Sequence, residues 1–326
     1  MARRNLLLCF DAFETLFHPK RTVAEQYAMV ARQCGLDGFT TEDVQASFKK
    51  AFSSESKAHP NYGKASGMGA PRWWTKVITK TFQPLAGAGV ELPKDLAPKL
   101  LHRFASDEGY TLSPGVAPLL RSLKQPPSPP PPSQWIPPII GVITNSDDRV
   151  PSILSALGLR VRPLRFGTDT HTDPSTNPNM NPDHHQQHIG GYDIDLHAMS
   201  YDVGFAKPDR RIFDAAEGLA NELATATGAG TTTTRSGPGA GAVLPCLKIY
   251  VGDEYAKDVA GALGAGWNAV LVHDAAEPGR QEEESLERLG DGPLEQVFPL
   301  GGPPRAVRAG SVQEVLEWLG REVRRG

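Results

Sequence analysis

The chain has 326 residues and a formal net charge of −3 at pH 7. This length allows two compact units and an ample core. A near-neutral chain lacks the basic face that nucleic acid requires, and no run of about 18 apolar residues occurs, so we expect neither a nucleic-acid partner nor a membrane-spanning segment. The three scattered cysteines lack metal-ligand spacing and indicate a reducing compartment, which predicts a cytoplasmic location with the nucleus as an alternative.

The first predicted element is a short buried strand over residues 6–10, which ends at Asp11. Its apolar run is too short for the core of a signal peptide. Because open α/β sheets bind ligands beyond the carboxyl ends of their strands, Asp11 is a candidate for chemistry, and Thr15 follows four residues later. The alternative is that Asp11 only caps the next turn.

Helical periodicity dominates the region that follows the first strand. No strand interrupts it, which predicts a separate helical domain inserted over residues 18–110. Trp73 and Trp74 fall in its third helix, and we expect such large side chains to lie in the core, with a substrate pocket as the alternative. The four predicted helices are 22–36, 41–58, 71–82 and 93–105.

Helices and strands alternate in the second part of the chain. This order predicts a parallel sheet with helices on both faces, which is an α/β fold formed by residues 1–17 and 111–326. The predicted strands are 139–144, 194–200, 247–251 and 268–272, and the predicted helices are 114–125, 150–159, 209–224, 256–265 and 311–325.

Three segments of biased composition interrupt this alternation, at 125–138, 165–191 and 226–241. We predict that they are disordered surface insertions. The first is rich in proline, and an extended proline-rich segment is a candidate docking site for a protein partner. The second contains His184, His185 and His188, for which a solvated loop is favoured over a metal site.

Polar residues follow four of the predicted strands or their loops. Because the carboxyl ends of parallel strands meet at one edge of the sheet, we expect these residues to form one site. A carboxylate attacks phosphorus when a cation offsets the repulsion between the two anions. The residues are Asp11 and Thr15, then Thr144 and Asn145, then Lys207, and finally Asp253 and Asp258.

Each residue type suits one part of a phosphoryl transfer. Asp11 and Asp253 offer oxygen ligands, which favour Mg²⁺. The Thr144 hydroxyl and the Asn145 main-chain N–H suit the transferring oxygens, and Lys207 neutralises their charge. Asp258 is predicted to complete the metal site with Asp253, or to orient Lys207 or the waters of the metal, while an acid at a helix start is the simpler alternative.

These motifs resemble those of the haloacid dehalogenase superfamily of aspartate-nucleophile hydrolases. The matching segments are DAFET from Asp11, GVITNSDDR from Gly141, GFAKPDRRIF from Gly204 and VGDEYAKD from Val251. With HPNYG from His59 and the Trp73-Trp74 pair, the chain resembles the subgroup of haloacid dehalogenase-like hydrolase domain-containing protein 3 and a related rhythmically expressed protein. The resemblance implies a Rossmann-like core, a four-helix cap domain inserted at 18–110, Mg²⁺ as cofactor and a small anionic substrate.

Phe13 departs from the motif of the phosphatases in this superfamily. Those enzymes have an Asp two residues after the nucleophile, which protonates the leaving group, and losing such an acid costs about 10²–10⁴-fold in rate. The main-chain carbonyl of Phe13 remains available to the metal. Glu14 is not expected to replace the acid, because successive side chains of extended backbone point to opposite faces. We therefore expect a slow phosphatase-type hydrolase.

Two alternatives remain open. The DAFETLF segment is also similar to the first motif of 2-haloacid dehalogenases, in which halide leaves carbon without an acid, so Phe13 would be harmless there. Those enzymes work without a metal and lack the acidic pair at Asp253 and Asp258, so the two ends of the site indicate different reactions. The other alternative is a binding or scaffolding protein that retains the fold without turnover.

Overall fold

The computed structural model describes residues 5–87, 89–126, 137–168, 191–226, 246–273 and 285–325. The greater part of the three predicted insertions lies outside these residues, and so do His184, His185 and His188. Across the described ranges, none of the helices combines the length and apolar character that a membrane span requires.

A six-stranded parallel sheet forms the centre of the fold, which confirms the predicted α/β architecture. The strand order is β5-β4-β1-β6-β7-β8, so β1 lies between β4 and β6. Its register pairs Leu8 with Ile140 on one side and Cys9 with Tyr250 on the other. The strands are β1 (Asn5–Phe10), β4 (Ile139–Thr144), β5 (Leu196–Met199), β6 (Cys246–Gly252), β7 (Asn268–Val272) and β8 (Ala306–Ala309).

The central strands are apolar because both faces of the sheet are covered. Leu8, Cys9 and Phe10 are fully buried in β1, and Phe213 and Trp267 belong to the same core cluster as Cys9. Two short strands, β2 (Phe17–Pro19) and β3 (Tyr110–Leu112), pair separately.

The helices that follow β3 along the chain keep the predicted order with local differences. The segment predicted as one helix over 256–265 is a π-helical turn (Tyr255–Val259) followed by a short α-helix. The helices are α5 (Val116–Lys124), α6 (Val150–Ala156), α7 (Ser200–Val203), α8 (Arg210–Ala226), α9 (Ala260–Gly264), α10 (Leu294–Val297) and α11 (Val312–Arg325).

Four helices and a short 3₁₀ segment (Asn61–Ser66) lie between β2 and β3. The helices are α1 (Val23–Gln33), α2 (Thr41–Ala58), α3 (Ala70–Ala86) and α4 (Leu96–Arg103). Capping boxes at Thr22 and Thr40 satisfy the first N–H groups of α1 and α2. Trp73 is 1% exposed, which confirms its predicted place in the core, while Trp74 is half-buried and donates from its indole nitrogen to Asp147 at 2.6 Å.

Contacts between residues divide the chain into two compact units. The first, the sheet unit, comprises 1–16, 112–145 and 158–326, and the second, the helical unit, comprises 17–111 and 146–157. The assignment of the helical unit as a cap stays a prediction.

Candidate functional site

Asp11 lies one residue beyond β1, where its main-chain N–H donates to the Val251 carbonyl at 2.8 Å and extends the pairing with β6. Its carboxylate Oδ1 accepts from the Ala12 N–H at 2.8 Å and lies 3.0 Å from Lys207 Nζ. The hydroxyl of Thr144, at the end of β4, also hydrogen-bonds to this carboxylate. Burial raises the pKa of Asp11 above its ordinary value, although Lys207 and Thr144 act in the opposite direction. The end of β1 thus holds a half-buried carboxylate, which these contacts keep in one orientation.

Lys207 is 4% exposed and is fixed at both its main chain and its ammonium group. The Asn145 side chain accepts from the Lys207 N–H at 2.6 Å and donates to its carbonyl at 3.0 Å. The ammonium donates to Asp258 Oδ1 at 2.7 Å and to the Tyr250 hydroxyl at 2.7 Å, besides its contact with Asp11. Burial disfavours the ammonium form, yet Asp11 and Asp258 raise the pKa of Lys207 above its usual value.

Three carboxylates lie together at this site, and two of them, Asp11 and Asp258, contact the ammonium group. Asp11, Asp253 and Asp258 offer oxygen atoms that all lie within 4.8 Å of one another. Burial, followed by the charges of Asp11 and Asp258, raises the pKa of Asp253 to about 6. The Thr15 hydroxyl donates to Asp253 Oδ1 at 3.2 Å. The cluster therefore carries more negative than positive charge.

A divalent cation fits this excess of carboxylate, since three oxygen ligands lie close together with one ammonium group in contact with two of them, and burial together with the neighbouring carboxylates raises the pKa of Asp253. Within the ranges that the structure describes, this is the one group of three or more acidic, histidine or cysteine side chains with such spacing.

Asp258 reaches the site because the chain after β6 forms a π-helical turn, a feature that is frequent at functional sites. Its Oδ2 accepts from the Glu254 N–H at 2.9 Å, and its Oδ1 accepts from Lys207. A Cβ at Gly252 would clash with this carboxylate, so the position requires glycine. Both oxygens of Asp258 thus have donors within the protein, which favours the predicted role of orienting Lys207.

The turn after Asp11 differs from the extended backbone assumed for Glu14. The Leu16 N–H donates to the Ala12 carbonyl at 3.0 Å, and Glu14 has a φ of 58°. Alternation along a strand therefore does not decide where Glu14 points. Its side chain is exposed and, together with Thr15 but neither Asp11 nor Asp253, lines a cavity of about 240 Å³ among the described residues. Phe13 is half-buried in the same turn.

The structure brings seven of the predicted residues into one connected network, and Phe13 lies beside them in the turn. Asn145 enters this network through its side chain, whereas the sequence had suggested its main-chain N–H. Tyr250 is a member that the sequence analysis missed, because a tyrosine inside a buried strand looks like a core residue. The seven are Asp11, Thr15, Thr144, Asn145, Lys207, Asp253 and Asp258.

A model of the haloacid dehalogenase-like hydrolase family matches residues 6–266. The chain belongs to this family. An uncharacterized hydrolase of Schizosaccharomyces pombe is 30% identical over 263 residues, which cover 81% of this chain and 88% of that protein. Haloacid dehalogenase-like hydrolase domain-containing protein 3 of Bos taurus is 26% identical over 266 residues, with 82% and 81% covered.

Among solved structures, a 2-haloacid dehalogenase from Pseudomonas syringae is similar with a TM-score of 0.49 and 18% identity, covering 97% of this chain and 99% of that one. The family match and the named relatives confirm the predicted superfamily and its subgroup.

Proposed function

We propose that this haloacid dehalogenase-like hydrolase is a slow, Mg²⁺-dependent phosphatase that acts on a small phosphorylated metabolite through an aspartyl intermediate. One observation carries the proposal: the half-buried carboxylate of Asp11 lies 3.0 Å from Lys207 Nζ and within 4.8 Å of oxygens of Asp253 and Asp258. A carboxylate with an adjacent cation and a further cation-binding cluster meets the electrostatic needs of attack on a phosphate.

In the first step a carboxylate oxygen of Asp11 forms a bond to phosphorus, and the ester P–O bond breaks with its electron pair leaving on the alcohol oxygen. In the second step water attacks phosphorus, which releases inorganic phosphate and restores the Asp11 carboxylate. The Thr144 hydroxyl and the Lys207 ammonium orient Asp11 and offset negative charge during both steps.

Asp11, Asp253 and the main-chain carbonyl of Phe13 would hold Mg²⁺, whose bound charge offsets the repulsion between nucleophile and substrate. Asp258 acts mainly on Lys207, because each of its oxygens already accepts a hydrogen bond. Thr15 orients Asp253 through its hydroxyl.

Phe13 provides no proton for the leaving group, so the alcohol departs as an anion and takes its proton from water. This makes turnover slow, by about 10²–10⁴-fold relative to an enzyme with a positioned acid. It also predicts a preference for substrates whose leaving group is a weak base, such as an aryl or acyl phosphate.

The test is phosphate release by the purified protein from a panel of phosphomonoesters, with and without Mg²⁺, and with Asp11→Asn as the control. We expect release that requires Mg²⁺, disappears in the variant and increases as the leaving group becomes more acidic. Equal release by Asp11→Asn would overturn the assignment of the nucleophile.

Phe13 itself favours a second candidate, the hydrolysis of a carbon–halogen bond through an Asp11 ester, because halide needs no proton in order to leave. Halide release from a 2-haloacid that persists in EDTA, without phosphate release from any ester, would favour this reaction over the first.

A protein that binds ligands or partners without turnover is the third candidate, and the same absence of an acid at position 13 motivates it. Phe13→Asp separates it from the phosphatase. A gain of about 10²-fold or more in phosphate release would indicate a site that lacks only its acid. An unchanged, inactive variant would favour binding, for which the proline-rich segment 125–138 is the proposed contact with a protein partner.

A further inference from the structure

Tyr250 lies inside β6 and is fully buried, yet it carries a hydroxyl group into the core. Burying a hydroxyl costs free energy unless it is hydrogen-bonded. This hydroxyl lies 2.7 Å from Lys207 Nζ and 2.8 Å from the Ile143 carbonyl oxygen. It therefore bridges the ammonium group of the site and the residue that directly precedes Thr144.

The direction of both hydrogen bonds follows from the chemistry of the partners. An ammonium group only donates, so the Tyr250 oxygen accepts from Lys207. The single hydroxyl proton is then directed to the Ile143 carbonyl at 2.8 Å, since Asp258 Oδ1 is more distant at 3.3 Å. The hydrogen bond to Ile143 in β4 thus fixes the orientation of the hydroxyl, so that a lone pair of its oxygen faces Lys207.

We propose that Tyr250 is a positioning residue, whose hydroxyl, anchored on the Ile143 carbonyl, holds the Lys207 ammonium against Asp11. The proposal rests on the proposed function for its effect on turnover, but the interaction itself does not depend on any activity. Tyr250 does not touch the reacting atoms in this assignment and acts through Lys207.

The hydroxyl matters because of where the other two acceptors lie. Asp258 Oδ1 is 2.7 Å from the ammonium nitrogen and Asp11 Oδ1 is 3.0 Å from it. Without the third acceptor, Lys207 is free to move toward Asp258, and small displacements of a catalytic group cost up to about 10²-fold in rate. Asn145 holds the main chain of Lys207 and cannot prevent this movement of its ammonium group.

The ring of Tyr250 has a separate packing role that phenylalanine retains. It contacts Phe213 edge-on, with ring centroids 5.3 Å apart. Tyr250→Phe therefore removes the hydroxyl and keeps the packing. Tyr192→Phe is the matched control, because it removes a hydroxyl before the amino end of β5, far along the strands from Lys207, and keeps the ring that stacks on Arg162 at 4.4 Å.

The kinetic test compares wild type, Tyr250→Phe and Tyr192→Phe under saturating Mg²⁺. We expect Tyr250→Phe to lower kcat by about 10–100-fold with KM changed by less than about threefold, because the charge acting on the transition state is displaced while the binding surface is kept. Tyr192→Phe should leave both constants unchanged. A kcat equal to that of wild type would overturn the positioning role.

A second arm needs no activity, so it separates failure of this inference from failure of the proposed function. Urea unfolding is measured for wild type, Tyr250→Phe, Lys207→Met and the double variant. If the hydroxyl acts on Lys207, Tyr250→Phe raises the unfolding equilibrium constant about tenfold in wild type and distinctly less in the Lys207→Met background. Equal effects in both backgrounds would show that the hydroxyl serves only the Ile143 carbonyl, and the proposal would fail even if the enzyme were active.

Discussion

Two clusters of charged side chains lie at opposite ends of the strands in the same sheet, and they differ in their ratio of acidic to basic groups. At the carboxyl ends, Asp11, Asp253 and Asp258 lie together, and the single ammonium of Lys207 contacts the first and last of them. At the amino ends, two aspartates are paired with three basic side chains. These are Asp193 and Asp195, with Arg121, Lys124 and Arg160.

The cluster at the amino ends has no excess of carboxylate, because each aspartate has a basic partner. Asp193 accepts from the Arg160 main chain at 2.9 Å and from its guanidinium at 2.6 Å. Asp195 accepts from the Ile140 N–H at 2.8 Å and from Lys124, which also donates to the Pro138 carbonyl. Such a network fixes the start of β4 and needs no further ion, whereas an excess of carboxylate calls for a cation. The presence of buried charges alone therefore does not mark a functional site.

The largest effect that this comparison predicts is on turnover. Asp11→Asn removes the nucleophile and is expected to lower phosphate release by at least about 10³-fold. Because the change also removes one of three like charges, the free energy of unfolding should not fall. Urea unfolding measured beside the activity assay checks both parts, and a variant that unfolds more easily would place Asp11 among the structural charges.

The reverse pattern is expected at the other end of the sheet. Asp195→Asn leaves Lys124 buried without its counter-charge and should lower the free energy of unfolding by about 3 kcal/mol. Phosphate release per folded molecule should stay within about twofold of wild type, as measured at a temperature where both proteins are folded. A loss of turnover without a loss of stability would break the division between the two clusters.

Removal of Mg²⁺ tests the same difference between the two clusters. Mg²⁺ at 100 times its dissociation constant should raise the free energy of unfolding of wild type by about 2.7 kcal/mol. Asp253→Asn should lose most of this gain, since it removes a proposed ligand, and should be slightly more stable than wild type in EDTA. Thermal unfolding with and without Mg²⁺ measures both effects, with Asp195→Asn as the control that keeps the full response.

Much of this site could be predicted because parallel strands deliver their final residues to one edge. Asp11, Thr144 and Asp253 each follow an apolar run, and that pattern alone indicated their proximity. Tyr250 could not be found in this way, because it precedes the end of β6 and its role depends on a lysine 43 residues away. Contacts between distant segments leave no periodic signal in the chain.

The same limit applies to the prediction of strands and helices from the sequence. The buried strands were recognisable from their apolar runs, whereas β8 was missed because its four residues, AVRA, include an arginine and form no apolar run. β2 and β3 have three residues each, too few for any period to be read. The helix predicted over 256–265 is interrupted by a π-helical turn, which propensity does not reveal.

The smallest expected effect is at Glu14. The sequence analysis assumed an extended backbone there, and the structure shows a turn instead. The Glu14 φ of 58° is a conformation that glycine adopts without the steric cost of about 1 kcal/mol that other residues bear. Glu14→Gly should therefore raise the free energy of unfolding by up to about 1 kcal/mol, measured by urea unfolding.

Glu14→Ala is the matched control, because it removes the carboxylate but keeps the Cβ and so the strain. If Glu14 has no part in the chemistry, both variants retain the turnover of wild type and only the glycine variant gains stability. A fall of tenfold or more in both would instead identify Glu14 as the acid that Phe13 cannot supply, because the carboxylate is the one group that both variants lack. Glu14 would then supply the acid from the position after Phe13, and the low turnover expected from Phe13 would no longer follow.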